Sequence, residues 1–305
     1  MGKSTPKIPK KCQHQGRVIT RYGAELIIQN KADSKQIRCT ARRKFDNLAC
    51  GDYVCWQSSE QGNAIVTALL TRKNALTRPD HRHKPKAIAA NIEQIIIICS
   101  WRPKPSWMLV DQYLIAAQQM GAEAIIVVNK ADLATPYSQQ KDWQALEDYI
   151  AIGYPVIHTQ ALTGEGIDTI QQHLAHKTSI FVGQSGVGKS SIIQQVLPDV
   201  AIKVGDISQS GEGKHTTTTA DLYRVSDNAY VIDSPGVRDF MLSEINAEII
   251  RDGYQEFAEH APYCRFNNCS HTHEPHCYVK EAAEKNLISQ GRYRRYLAKL
   301  SLLVS

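Results

Sequence analysis

Three nucleotide-binding signatures occur in this chain in an unusual order. Asn129-Lys130-Ala131-Asp132 precedes Gly183-Gln184-Ser185-Gly186-Val187-Gly188-Lys189-Ser190, which precedes Asp233-Ser234-Pro235-Gly236. The middle run fits G-x-x-x-x-G-K-[ST], a loop whose glycines let backbone N–H groups cradle phosphates at a helix N-terminus. It follows the apolar run Ser179–Val182 and leads into Ser190-Ser191-Ile192-Ile193, the strand–loop–helix context that such a loop requires. The usual order puts the phosphate loop first and the Asn-Lys-x-Asp run near the end. Here the cycle is cut and rejoined, so the expected core is a circularly permuted α/β sheet with its loops gathered at strand C-termini.

Each signature has its own chemistry, and together they look like a circularly permuted GTPase. Residues Gly183 to Ser191 are expected to wrap the phosphates, with Lys189 reaching the β- and γ-phosphates and Ser190 ligating Mg²⁺. Asn129 and Asp132 follow the expected strand Ala124–Val128. The Asp132 carboxylate can accept from guanine N1–H and the N2 amino group, a donor pair that adenine lacks, so it selects GTP. Lys130 is expected along the base and ribose. Asp233 would hold Mg²⁺ through water, and the Gly236 N–H would sense the γ-phosphate. Val237 stands where many GTPases have a water-orienting Gln. Valine cannot hydrogen-bond water, so slow intrinsic hydrolysis is expected. The glycine-hinged loop Gly211 to Thr219 sits where a first switch belongs. Thr217, with Thr218 as second choice, completes the Mg²⁺ shell there. His215 is the candidate for orienting water, the alternatives being an ordinary loop histidine or an RNA contact. The run Thr159 to Gly166 fits a fifth motif that covers the base edge with a backbone N–H.

Three modules are expected. Five short alternating runs between residues 12 and 75 suit a small barrel of OB type, although other small barrels share the pattern. Residues 76–90, rich in charge and proline, read as a basic linker, and 1–11 as a basic arm. From 91 to 240, strands at Gln94–Cys99, Ala124–Val128, Pro155–His158, Ser179–Val182, Leu222–Val225 and Tyr230–Ile232 alternate with helices at 107–120, 140–151, 167–175 and 189–196. Near-continuous Ile/Val strands imply a sheet covered on both faces. Residues 241–305 read as helices around a Cys/His cluster, ending in a basic helix with Arg292, Tyr293, Arg294, Arg295 and Tyr296.

Charge is uneven within a net +6. Residues 1–50 hold 12 Lys and Arg against 3 Asp and Glu, and the remainder 24 against 27. Positive charge gathered at one end favours a nucleic-acid partner through counterion release. The longest aliphatic run, Ile95 to Ile98, is far short of a membrane span, and the polar start lacks an apolar leader core. Cytoplasm is therefore the expected compartment, and no membrane is expected as a partner. There a disulfide is not expected, and Cys12, Cys39, Cys50, Cys55 and Cys99 show no obvious pairing. Cys264, Cys269, His271 and Cys277 instead make a tetrahedral zinc set, with His273 and His276 competing for the histidine place. Four protein ligands leave no open position, so the ion would be structural.

These residues jointly resemble the RsgA (YjeQ) family of circularly permuted, ribosome-associated GTPases. The likeness extends over Ala90-Asn91-Ile92-Glu93-Gln94, Gly-Glu-Gly-Lys-His-Thr-Thr-Thr from Gly211, Asp-Ser-Pro-Gly-Val-Arg-Asp-Phe from Asp233, and Cys-x₄-Cys-x-His-x₅-Cys followed by Val279. Gln160 departs from the usual serine and His276 from the usual glycine. The resemblance implies an OB-fold domain, a permuted GTPase domain and a zinc domain. It also implies a factor in late small-subunit assembly, contacting ribosomal RNA, whose hydrolysis of GTP to GDP the small subunit stimulates. Nothing in the sequence suggests an obligate oligomer, so a monomer is expected. Two competing classes are an RNA-binding module with a vestigial nucleotide site and a P-loop ATPase or kinase.

Overall fold

A computed structural model describes residues 12–59, 63–79, 85–134, 140–197, 220–233 and 245–303. These pack as two compact units. One holds the chain up to Glu93 together with Gln171–Phe181 and the described residues between 196 and 243. The other holds Gln94–Ile170, Val182–Gln195 and the described residues after 243.

The first unit begins with β1 (His14–Tyr22), β2 (Glu25–Asn30), β3 (Gln36–Thr40), β4 (Tyr53–Ser58) and β5 (Ala64–Leu69), closed into a barrel of order β1-β2-β3-β5-β4. All pairs are antiparallel except β3 with β5. That is the five-stranded closure expected of an OB-type barrel. Alternate residues point inward, so Leu26 and Ile28, Val54 and Trp56, and Ala64 and Val66 meet Val18 and Cys39 in one core.

One expectation is corrected here. Cys12 and Cys55 form a disulfide with Cα atoms 5.4 Å apart. The register Gln15↔Cys55 brings the start of β1 beside Cys55, a proximity set by strand pairing rather than by their separation of 43 in sequence. Cys39, Cys50 and Cys99 are buried free thiols. The segment read as a linker is also paired: β6 (Ala75–Pro79) and β7 (Pro85–Ala90) form an antiparallel ribbon. Its base packs through the small residues Ala87 and Ala90 on Ala49. Asn74 and Asn91 side chains close it: Asn74 Oδ1 accepts from Ile92 N–H at 2.8 Å, and Asn91 Oδ1 accepts from Lys73 N–H at 2.9 Å.

The same unit carries β11 (Thr178–Gly183) as far as Phe181, paired in parallel with β13 (Ala229–Asp233), and β12 (Asp221–Ser226) antiparallel to β13. Arg17 of β1 is buried between the Tyr53 and Tyr230 rings and donates to Thr178 Oγ1 at 2.7 Å. Glu93 accepts from Thr178 N–H at 3.1 Å and from Lys73 Nζ at 2.8 Å.

In the second unit, β8 (Gln94–Ser100), β9 (Glu123–Asn129) and β10 (Val156–His158) pair in parallel. Every residue of β8 is buried, as a strand covered on both faces requires. Helix α1 (Trp107–Met120) ends at Gly121, whose φ of 62° is the left-handed cap that glycine adopts without strain. Helices α2 (Gln140–Ala151), α3 (Ile167–Leu174) and α4 (Lys189–Val196) follow, at or within one residue of the expected bounds. The C-terminal helices are α5 (Ala247–Asp252), α6 (Tyr278–Glu284) and α7 (Gln290–Ser301). Among the described residues no helix is long and apolar enough to cross a membrane.

Candidate nucleotide site and metal-ligand cluster

The second unit brings together two of the three signatures. The phosphate loop runs from the end of β11 into α4, with Ile192 N–H bonding to Gly188 O as the helix starts. Two glycines are dictated by close approach. Gly183, at φ 147°, lies so near the Ile98 carbonyl that any Cβ would collide with it. Gly188, at φ 95°, leaves the space into which the Asn129 amide projects. Lys189 Nζ donates to Gly183 O at 2.6 Å and to Gln184 O at 2.8 Å, which holds the ammonium over the mouth of its own loop. Ser190 and Ser191 stand in the first turn of α4.

Asn129 does more than its sequence reading assigned. It is buried at the end of β9, and its Nδ2 donates to Val187 O at 2.8 Å. Its Oδ1 accepts from Thr159 Oγ1 and Ala161 N–H, both at 3.1 Å. One side chain therefore locks the phosphate loop to the Thr159–Gly166 run. That run is a closed turn, with Gln160 N–H donating to Glu165 O at 3.0 Å. The bond from Gln160 is made by its backbone, which accounts for the tolerance of glutamine there. Lys130, at φ 56°, spans the other side, its Nζ donating to Gly186 O and Arg102 O, each at 2.7 Å. Arg102 carried no motif signal because it contributes through its backbone carbonyl, whereas Thr159 and Ala161 fall in the run expected as the fifth motif. Asp132 is exposed and free of these internal bonds. Asp233 is the last residue of β13, in the other unit. His215, Thr217, Thr218, Gly236 and Val237 lie outside the described residues.

A second cluster forms in the same unit. The ligand atoms of Cys264, Cys269, His271 and Cys277 all lie within 4.8 Å of one another. Cys264 Sγ and Cys277 Sγ are 3.9 Å apart, and each sits 3.6 and 3.5 Å respectively from His271 Nδ1. Tetrahedral ligands about 2.0–2.3 Å from an ion stand roughly 3.5–3.8 Å apart, so the group fits a metal ion. Burial pushes the Cys269 thiol up to about 12, raises Cys277 and lowers His271. The competing histidines face elsewhere: His273 Nδ1 meets Thr272 Oγ1 at 2.8 Å, and His276 is exposed. Tyr293 and Tyr296 of α7 pin the loop by donating to His271 O at 2.7 Å and Ser270 O at 2.5 Å.

The C-terminal helix joins a buried charge cluster that the sequence reading missed. Asp111 of α1 accepts from Arg292 Nη1 at 2.5 Å, Arg295 Nε at 2.6 Å, Tyr149 OH at 2.5 Å and Tyr254 OH at 3.3 Å. Glu256 grips Arg292 through two bonds of 2.7 and 2.9 Å. The run read as a basic helix thus has two of its three arginines, Arg292 and Arg295, turned inward and neutralised.

Comparison with known proteins agrees with this geometry. A family model described as RsgA GTPase matches residues 69–243. A "Small ribosomal subunit biogenesis GTPase RsgA" from Hahella chejuensis is 41% identical over 289 residues, which is 93% of this chain and 83% of that protein. The crystal structure of YjeQ from Thermotoga maritima superposes with a TM-score of 0.78 at 30% identity, covering 96% of this chain and 99% of the other. The structure of YloQ, titled a circularly permuted GTPase, gives 0.75 at 25% identity and covers 97% of each.

Proposed function

The chain belongs to the RsgA GTPase family, and from that premise we propose that it hydrolyses GTP to time a late step in assembly of the small ribosomal subunit. The observation that carries the reading is the Asn129 side chain, which ties the phosphate loop to the Asn-Lys-x-Asp strand and to the Thr159 turn in permuted chain order. Asp132 reads guanine, Lys130 flanks the base, and Gly183 to Ser191 hold the phosphates. Ser190 and Thr217 ligate Mg²⁺, with Asp233 and Gly236 completing the sensor. Lys189 neutralises charge that develops on the β- and γ-phosphates. His215 orients the attacking water in place of the missing Gln, and the small subunit supplies the remaining order. The Cys264, Cys269, His271 and Cys277 group binds one structural zinc. The barrel and the zinc loop meet ribosomal RNA, and the protein works as a cytoplasmic monomer.

Permutation puts Asp233 to Phe240 directly before the C-terminal module, so a γ-phosphate-dependent change there acts on it without a long linker. Hydrolysis then relaxes the switch and releases the protein. The test is GTP turnover with and without purified small subunits, with ATP, the large subunit and Lys189→Ala as controls. Small subunits alone should raise turnover at least tenfold, the gain from about 1.4 kcal/mol of barrier. Turnover indifferent to the small subunit overturns the proposal, and unchanged turnover in Lys189→Ala leaves only an RNA-binding module. Equal subunit affinity in GTP-analogue and GDP states would sink the release step.

A further inference from the structure

Tyr263 and Tyr278 flank two ligands of the metal cluster, one directly before Cys264 and the other directly after Cys277. The two sulfurs are 3.9 Å apart, so the loop clips the two tyrosines side by side: their ring centroids are 5.9 Å apart and their planes inclined by 44°. They are nevertheless 67% and 47% exposed. Aromatic rings of this size are normally stabilised by burial, so two of them held side by side in water by one loop are unusual. Phe266, 40% exposed, lies two residues beyond Cys264, with the Arg265 guanidinium 5.6 Å over its ring.

The surroundings select among partners. From His260 to Tyr278 there is no Leu, Ile, Val or Met, so the face lacks the aliphatic anchors of a protein-docking groove. The same segment carries one acid, Glu274. Its carboxylate is engaged by Ser270 N–H at 2.7 Å, Ser270 Oγ at 2.6 Å and Thr272 N–H at 3.1 Å. What the surface offers is flat rings, one exposed guanidinium at Arg265, and the exposed amides of Asn267 and Asn268. Rings for stacking, a cation for phosphate and amides for base edges are what unpaired nucleotides require. A-form duplex would present its backbone and minor groove instead, and offers no base face to stack on.

We propose that Tyr263 and Tyr278, set side by side by the metal loop, form a stacking platform for unpaired bases of single-stranded RNA. This rests on the reading of the chain as a factor that works on a ribosomal particle, and it adds the form of RNA and the residues that take it. A metal ion on Cys264, Cys269, His271 and Cys277 would hold Cys264 to Cys277 and hence one ring to the other.

The test uses the full chain with metal bound and a twelve-nucleotide single-stranded RNA carrying 2-aminopurine, with the matched duplex as control. Stacking quenches the probe. Tyr263→Ala and Tyr278→Ala should each weaken single-strand binding about tenfold, from the roughly 1–3 kcal/mol that one base-on-ring stack contributes. The corresponding Phe variants should bind as the unaltered protein does, since they keep the ring and lose only the hydroxyl. Duplex binding should be unchanged throughout. Metal content and unfolding temperature of each variant show that the loop has kept its fold. Ultraviolet cross-linking should place the RNA on Tyr263 or Tyr278. The proposal is overturned by a double Ala variant that keeps its metal and binds the single strand undiminished, or by a full-length protein that binds no single strand at micromolar concentration. A double variant that loses small-subunit affinity yet keeps oligonucleotide affinity also overturns it, and assigns the face to a ribosomal protein. Small-subunit stimulation of GTP turnover, read on the unaltered protein, tests the underlying function separately.

Discussion

Replacing Asp111 by alanine should loosen the C-terminal helix more than any change on its surface. The carboxylate is wholly buried and accepts from Arg292, Arg295, Tyr149 and Tyr254. With it in place, two acids, Asp111 and Glu256, face two guanidiniums. Without it, Arg292, itself buried, keeps only its two bonds to Glu256, and Arg295 loses its carboxylate partner. Breaking one partner out of a buried ionic group costs about 3–5 kcal/mol, because the charge left behind cannot regain water. That is a large share of the roughly 5–15 kcal/mol by which domains are stable. A chain of several modules need not unfold in one step, so the readout should be local. Amide exchange in α7 (Gln290–Ser301) and α1 (Trp107–Met120) should quicken by about 10²- to 10⁴-fold, at about 1.36 kcal/mol per decade. A companion variant that replaces the whole ionic group, Asp111→Leu and Glu256→Met with Arg292→Met and Arg295→Leu, should recover most of the loss, since apolar residues of similar volume replace such clusters at little cost. Protection reduced by less than about fivefold in Asp111→Ala, near 1 kcal/mol, would refute the claim that this cluster fastens the helix.

Other outcomes follow from single sites. Asp132→Asn should lower GTP affinity by about a hundredfold or more, because two charge-assisted bonds to guanine are lost. It should raise affinity for xanthosine triphosphate, whose C2 carbonyl accepts from the new amide; nucleotide titration decides, and retained GTP preference contradicts the assigned role. His276 sits at φ 56°, where a side chain costs about 1–2 kcal/mol, so His276→Gly should raise the unfolding temperature by a few degrees, and an unchanged or lower midpoint speaks against strain there. The Glu93 carboxyl is pushed up by half-burial but held below its ordinary range by the stronger pull of Lys73 and the Thr178 N–H. A depressed folded value stabilises above the ordinary carboxylate range and is lost as pH falls through it. The stability gap between the unaltered protein and Glu93→Gln should therefore be widest near neutrality and close in acid; a gap independent of pH contradicts the bonding. Stripping metal with a chelator should speed exchange in the 264–277 loop while leaving barrel strands β1 to β5 protected, and equal loss in both would remove the structural role of the ion.

What was legible in the sequence was whatever depends on spacing within one element or one loop. The Ile95–Ile98 run, the helices bounded near Trp107 and Gly121, and the alternation of Leu26 with Ile28 are periodic, and the structure has them where the period puts them. The phosphate loop and the Cys/His set are likewise short-range patterns in which few residue types can do the chemistry. What was not legible depends on which elements meet. Cys12 and Cys55 are joined by strand register, and no spacing rule points to a partner 43 residues away. Alanines 87 and 90 look featureless in a basic, proline-containing stretch, yet their smallness lets the hairpin base lie against Ala49.

The run Arg292-Tyr293-Arg294-Arg295-Tyr296 shows how far such a reading can be sharpened by period alone. Taken as composition, three arginines among tyrosines suggest a nucleic-acid surface. Taken on a helix, Arg292, Arg295 and Tyr296 fall within one turn on one face, spaced three and four residues apart, while Arg294 points away. A face with two cations and a tyrosine needs anions to meet it if it packs inward, and the apolar helix α1 offers one misplaced acid, Asp111, in an otherwise apolar stretch. An acid in a buried helix face and a paired-arginine face elsewhere in the chain each lack an explanation alone and explain each other together. The consequence is functional as well as structural. The helix that pins the metal loop through Tyr293 and Tyr296 is the helix that Asp111 anchors, and α1 starts just beyond Arg102, whose carbonyl receives Lys130. One continuous set of contacts within this unit thus runs from the base-reading loop, through α1 and α7, to the loop that presents Tyr263 and Tyr278.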